Sequence, residues 1–125
     1  MTVRKKKPAF SIIVPVLNEE DGIQSLVQHL KDISAGESVE IIVVDADPDG
    51  STINKIRSGE AVKLLSPRGR GIQMNRGADA ARGNVLLFLH ADTFLPQNAL
   101  GHIKKGYSLS MGLYSTGSFV LQICR

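Results

Sequence analysis

Two residues at the end of an apolar run are the first candidates for chemistry. Residues 85–89 are Val, Leu, Leu, Phe and Leu, and the run stops at His90, Ala91 and Asp92. An imidazole and a carboxylate two positions apart, at the carboxyl end of a strand, stand where open α/β sheets place their ligands. Alternation along a strand would turn His90 and Asp92 to the same side. Two such donors are too few for a closed zinc site, which takes four. They suit an open half-site in which waters and phosphate oxygens complete the shell of a hard cation. A polar strand end meeting solvent would account for the pair taken alone, but two further groups argue against it. Asp45, Asp47 and Asp49 crowd another strand end, where Pro48 and the Asp49-Gly50 pair would be enough to turn the chain. Residues 66–71, Ser-Pro-Arg-Gly-Arg-Gly, form a basic loop. Its glycines permit close backbone approach, and its arginines can grip phosphate through paired hydrogen bonds.

The elements that must position these groups alternate in type. Residues 10–17 are apolar and β-branched and predict a first strand; Pro15, which has no N–H, belongs near its end or on an unpaired side. Asn18 predicts an N-cap, with Glu19, Glu20 and Asp21 in a first turn where acids suit the helix dipole. Ile23, Leu26, Val27, Leu30 and Ile33 follow at helical spacing, and Gly36 stops the helix. His29 falls on the polar side of that stripe and reads as a surface residue. Residues 39–44 predict a second strand, after which Ser51 or Thr52 caps a short helix to about residue 57. Residues 62–65 predict a third strand. Residues 72–82 predict a helix whose small face holds Met74, Ala78 and Ala81. Gly77 within it costs roughly 1 kcal/mol relative to alanine, which implies close packing on a neighbour or a ligand. The apolar run at 84–89 is the fourth strand, buried on both faces, and Pro96 starts a last helix to about residue 105. The order β-α-β-α-β-α-β-α predicts an α/β fold with three layers, αβα, around a mostly parallel sheet.

Composition sets the bounds. A chain of 125 residues, 42% hydrophobic and 22% charged, is an ordinary single globular domain. The division expected is a basic tail at 1–9, a core at 10–105 and an atypical apolar tail containing Ser and Gly at 106–125. The net charge of +3 owes much to Arg4, Lys5, Lys6 and Lys7, a solvated run that also admits contact with anionic lipid. No apolar h-region follows it, so no signal peptide is expected. Cys124 is the single cysteine, which excludes an internal disulfide and fits a reducing, cytoplasmic setting, membrane-associated if the basic run is used. Nucleic acid is not an expected partner, since aromatics are few and no basic face repeats.

Two nucleotide motifs are absent. No G-x-x-x-x-G-K-[ST] occurs, and the Gly69-Arg70-Gly71 stretch meets Met74 where a dinucleotide fingerprint needs glycine, after the wrong strand. Four other pieces do occur in order: VPVLNEE at 14–20, VVDADPDGST at 43–52, RGIQMNRG at 70–77 and FLHADT at 88–93. Together they resemble the family 2 glycosyltransferases of the GT-A (nucleotide-diphospho-sugar transferase) fold, and the His-Ala-Asp-Thr and R-G-R-G-x-Q-M-N-x-G pieces look most like a bacterial "transferase 2" subgroup. The resemblance covers residues 10 to about 100. It implies metal-dependent, inverting transfer of a sugar from a UDP- or GDP-linked donor to an unknown acceptor. On this resemblance Pro15, Asn18 and Glu19 shape the nucleotide pocket, and Asp45 accepts the imide N–H of a uracil base. Asp47 takes the place of the second acid of the usual Asp-Asp-Gly-Ser stretch. Arg70, Gly71, Asn75 and Gly77 line the ribose and diphosphate side, and Asp92 holds the divalent cation, Mn²⁺ or Mg²⁺, that bridges the diphosphate.

The sequence departs from the family pattern twice. His90 replaces the first acid of D-x-D; as a metal ligand it would favour Mn²⁺, and otherwise it would hydrogen-bond ribose or diphosphate. After Asp92 the sequence holds no Asp or Glu, so the carboxylate base that an inverting transfer needs is not found. His102 is the only conventional base there, and Lys104 and Lys105 beside it mark a surface. A truncated or altered frame would explain the missing base and the tail at 107–125. The alternative to an enzyme is therefore a non-catalytic nucleotide-sugar-binding fragment, whose exposed apolar surface favours homo-oligomers; an unrelated α/β nucleotide-binding protein is the third reading.

Overall fold

Runs of β-branched and large apolar residues build a sheet that helices cover on both sides. The computed structural model describes residues 7–34, 36–93, 95–106, 112–113 and 119–122. Its elements are β1 (Phe10–Val16), α1 (Ile23–Ile33), β2 (Val39–Asp45), a 3-10 turn (Ile53–Lys55), β3 (Val62–Leu65), α2 (Arg70–Ala80), β4 (Val85–Phe88), α3 (Ala99–Gly106), β5 (Gly112–Leu113) and β6 (Phe119–Gln122). The strands lie in the order β3-β2-β1-β4-β6-β5, and every pairing is parallel except β5 with β6. This is the three-layer α/β arrangement that the order of elements implies. The backbone at 119–122 lies beside β4, so that part of the tail extends the sheet. Most of the basic run, the His102 side chain and the rest of the tail lie outside the described residues. No described helix is long and apolar enough to cross a membrane.

Alternation along the strands divides the core in two. Ile12, Val14, Val43, Leu87 and Leu89 pack with Ile23, Leu26, Val27 and Leu30 of α1 and Leu100 of α3. Ile13, Ile42, Val44, Leu86 and Phe88 point the other way, onto Ala78 of α2 with Met74 and Ala81 beside it. Each such side chain contributes roughly 1.5–3 kcal/mol when fully buried, so both helical layers are fixed to the sheet. Gly77 is what lets α2 approach. A Cβ there would stand 2.5 Å from Ile13 Cγ2 and 3.2 Å from Val44 Cγ2.

Pro15 sits in the central strand without loss. The Ile13 carbonyl accepts the Leu89 N–H at 2.9 Å, and β4 ends at Phe88, opposite Ile13. Two residues further on, Pro15 faces the same neighbour beyond its end, where no ladder partner needs an N–H. Helix α1 starts later than the N-cap reading places it. Its N-cap is Gly22 and no acid lies in its first turn. Asn18 instead takes a positive φ of 58°, a left-handed conformation that asparagine tolerates, and turns the chain at the end of β1.

At the amino end of the sheet, Glu40 ties three segments together. Its Oε2 accepts from the Ser11 hydroxyl and from the Arg82 N–H, both at 2.6 Å, while the Gly83 N–H donates to Ser11 Oγ at 2.8 Å. This pins the start of β4 to β1 and β2 and leaves the carboxyl end for the site.

Candidate functional site

The loops that leave β1, β2 and β4 meet at one end of the sheet, and a buried carboxylate organises them. Asp45, fully buried at the end of β2, accepts the Asp47 N–H at Oδ1 (2.9 Å) and the Thr52 and Ile53 N–H groups at Oδ2 (3.0 and 3.2 Å). Asp45, and not Ser51 or Thr52, thus supplies the oxygen at the start of the 3-10 turn. It also corrects the base contact inferred from resemblance, because its carboxylate is turned into its own loop with no exposed surface. Thr52, also fully buried, accepts the Glu19 N–H at 3.0 Å and so locks the loop after β2 to the loop after β1.

Asp49 is exposed, whereas Asp47, half-buried, is the acid of this loop that lines a cleft. Its oxygens accept the N–H groups of Asp49 and Ser51 at 3.1 and 3.3 Å. The nearby Ser51 hydroxyl, which has no hydrogen bond of ordinary geometry, is the largest influence holding the Asp47 carboxyl below the usual carboxylate range, followed by the Asp49 N–H.

Helix α2 enters from the other side. Gly69, at φ 135°, precedes it, and Arg70 is its first residue. The Arg70 guanidinium places Nη1 3.2 Å from His90 Nε2. Arginine only donates, so Nε2 accepts and the ring proton sits on Nδ1. Gln73, one turn along α2, is 6% exposed and donates from Nε2 to the Val16 and Val44 carbonyls at 2.9 and 3.0 Å. It ties the ends of β1 and β2 together, a role that sequence reasoning missed. The available signal was a lone amide four residues before Gly77, on the face that packs against the sheet.

Strand β4 stops at Phe88, so alternation does not extend to His90 and Asp92. A turn closed by the Thr93 N–H on the His90 carbonyl (3.1 Å) carries them instead. Both nevertheless line one cleft of about 240 Å³, with Pro15, Glu19, Arg70 and Gln73. A second cleft, of about 470 Å³, lies between Asn18, Asp47, Pro48, Pro67 and Arg68, and the two share Leu17. Seven of the expected residues are thereby brought together: Pro15, Glu19, Arg70, His90 and Asp92 in the first cleft, Asn18 and Asp47 in the second. Gly71 and Asn75 are exposed on α2 and line neither. Gly77 is buried against Ile13 and Val44, so its role is packing rather than contact with a nucleotide.

The donor set limits what metal could bind. Among the described residues no three His, Cys, Asp or Glu side chains group as a cage. His90 Nε2 is engaged by a guanidinium, which places a positive charge where a metal bound to that nitrogen would sit. In this geometry His90 Nε2 faces a guanidinium rather than an open position for a cation. Asp92 and Glu19, both exposed on the cleft, are its carboxylate oxygen donors. Such a site fits a cation whose other ligands come from a phosphate-bearing ligand and water.

A polar cleft at the carboxyl ends of parallel strands, in a sheet ordered 3-2-1-4 through its first four strands, defines a nucleotide-binding type of α/β protein, and a solved structure that superposes on it is of the GT-A type. A family model, glycosyl transferase family 2, matches residues 11–107, and the chain belongs to that family. It is 30% identical over 116 residues to the "Uncharacterized glycosyltransferase YkcC" of Bacillus subtilis, covering 80% of this chain and 35% of that protein. It is 28% identical over 112 residues to the dolichol-phosphate mannosyltransferase of Pyrococcus furiosus, covering 82% of this chain and 32% of the other. Among solved structures, glucosyl-3-phosphoglycerate synthase from Mycobacterium tuberculosis, in complex with Mn²⁺, UDP and phosphoglyceric acid, superposes with a TM-score of 0.64 at 24% identity, covering 83% of this chain and 42% of that one. The chain thus spans about a third of the length of the curated relatives it matches.

Proposed function

We propose that the two clefts bind a nucleoside-diphosphate sugar and that the chain is the donor-binding part of an inverting glycosyltransferase. The observation that carries this is the meeting of Arg70, His90 and Asp92, from two separate segments, on one cleft beside a second cleft that Asp47 lines. In this reading Arg70 and His90 face the diphosphate. Asp92 would hold a divalent cation, Mn²⁺ or Mg²⁺, and the cation would supply charge that offsets that of a nucleoside diphosphate. The Mn²⁺ and UDP of the mycobacterial relative support this choice of ligands.

The base lies in the second cleft. Asp47, kept ionised, accepts a ring N–H there, while Leu17, Pro48 and Pro67 give apolar edges. Uracil and guanine carry such an N–H; adenine and cytosine do not. A charge-assisted bond of this kind is worth roughly 1.5–3 kcal/mol, enough to rank UDP and GDP above ADP and CDP. No residue is assigned as the base that takes the acceptor proton, and the acceptor is unassigned. In this reading the setting is cytoplasmic, which the single cysteine and a nucleotide-sugar donor support.

Calorimetric titration tests the reading. UDP or GDP binds with Mn²⁺ present, Asp92→Ala removes the metal dependence, and Asp47→Asn removes the preference over ADP and CDP. Binding indifferent to chelator and to both substitutions contradicts it. Release of free nucleoside diphosphate from the sugar nucleotide then separates an enzyme from a binding fragment.

A further inference from the structure

Asp92 stands on a stretch that has left the sheet and depends on other supports. Upstream, the Leu89 N–H is held by the Ile13 carbonyl at 2.9 Å, and the Thr93 N–H closes its turn on His90. Downstream, the support comes from a different element. His29 of α1 sets Nε2 2.9 Å from the Leu95 carbonyl oxygen and 3.1 Å from the Leu95 nitrogen. The Leu95 side chain is buried in the same core cluster as Leu26 and Leu30 of α1. His29 is therefore not the plain surface residue its place on the helix implies.

A single ring nitrogen here faces both the donor and the acceptor of one residue. With Nε2 bare it accepts the Leu95 N–H; with Nε2 protonated it donates to the Leu95 carbonyl. The contact keeps a partner in either state, which suits a fixed support and not a switch. Asp92 lies three residues before Leu95, a stretch that spans at most roughly 10 Å. Little slack is left between the two supports.

We propose that His29 is a positioning residue for Asp92. By holding the Leu95 backbone from α1, it sets where the carboxylate stands relative to Arg70 and His90. The proposal rests on the reading of Asp92 as the carboxylate that meets a cation-bridged diphosphate. It adds a residue that touches neither.

The test uses the whole chain as wild type, His29→Ala, His29→Gln and Asp92→Ala, with amide hydrogen exchange at Leu95, thermal midpoints and calorimetry with UDP with and without Mn²⁺. In His29→Ala, protection at Leu95 is lost and Mn²⁺-dependent UDP affinity falls about tenfold, the low end of what removing a group that orients a metal ligand costs. Metal-free UDP affinity stays unchanged. His29→Gln, whose amide can likewise accept or donate at that place, restores both. Unchanged protection at Leu95, equal losses with and without Mn²⁺, or a glutamine that fails to rescue would each overturn the proposal. A wild type with no Mn²⁺-dependent binding would overturn the site reading and this role with it. Wild-type binding that His29→Ala leaves intact would overturn this role alone.

Discussion

Substitution of Asp45 separates a scaffold from a base contact. Its carboxylate accepts three backbone N–H groups, at 2.9, 3.0 and 3.2 Å, with no exposed surface. In Asp45→Asn the amide oxygen can still serve Thr52 and Ile53, but the amide nitrogen then faces the Asp47 N–H. One bond is lost and two donors are opposed, at a cost of about 1–3 kcal/mol. Asp45→Ala leaves all three N–H groups without their acceptor, and about 3–6 kcal/mol follows if each costs 1–2. That is a large share of a typical domain stability of roughly 5–15 kcal/mol, so the alanine variant is expected to be partly unfolded at 37 °C. Urea denaturation followed by circular dichroism measures both losses. An Asp45→Asn protein with wild-type unfolding and altered nucleotide preference would refute the reasoning, because that pattern belongs to a side chain facing a ligand.

Other substitutions probe separate parts of the same end. Gly77→Ala gains roughly 1 kcal/mol of helix propensity but drives a methyl into Ile13 and Val44, so a net loss of about 1–2 kcal/mol is expected in thermal denaturation. Gln73→Ala removes both bonds to the Val16 and Val44 carbonyls and should cost about 1–3 kcal/mol in urea, with weaker nucleotide binding as the ends of β1 and β2 loosen. Because the folded-state pKa of Asp47 is lowered from 3.8, its stabilising contribution is present above that value and is lost as the pH falls through the lower folded value. Acid unfolding of Asp47→Asn should accordingly show a shallower loss of stability below about pH 4 than wild type.

The layer architecture was legible because it depends on patterns with long reach. The apolar runs at 10–16, 39–45 and 85–88 are buried on both faces, and α1 carries its stripe at Ile23, Leu26, Val27, Leu30 and Ile33 as spacing requires. Local chemistry was harder to read. Asn18 has the side chain of an N-cap, yet the tie between Thr52 and the Glu19 backbone holds that segment as a loop until Gly22. Asp45 looked like a ligand because acids at strand ends commonly are, but three backbone N–H groups from its own loop reach it first. His29 reads as a surface residue from its helix alone, because its partner Leu95 lies 66 residues away on a segment whose path only the fold decides. Arg70 and His90 were each singled out from the sequence; that they touch is set by where α2 begins and where β4 stops.

In the proposed function Asp92 would hold a cation beside a nucleoside diphosphate at the carboxyl end of this sheet. Paramagnetic broadening of backbone amides by Mn²⁺, measured with and without UDP, tests it most directly. Mn²⁺ and UDP together are expected to erase the signals of Glu19, Arg70, Ala91 and Asp92 while those around Glu40 and Gly83, at the far end of the sheet, survive. Broadening centred on the far end, or broadening at Asp92 that UDP does not enhance, would contradict it.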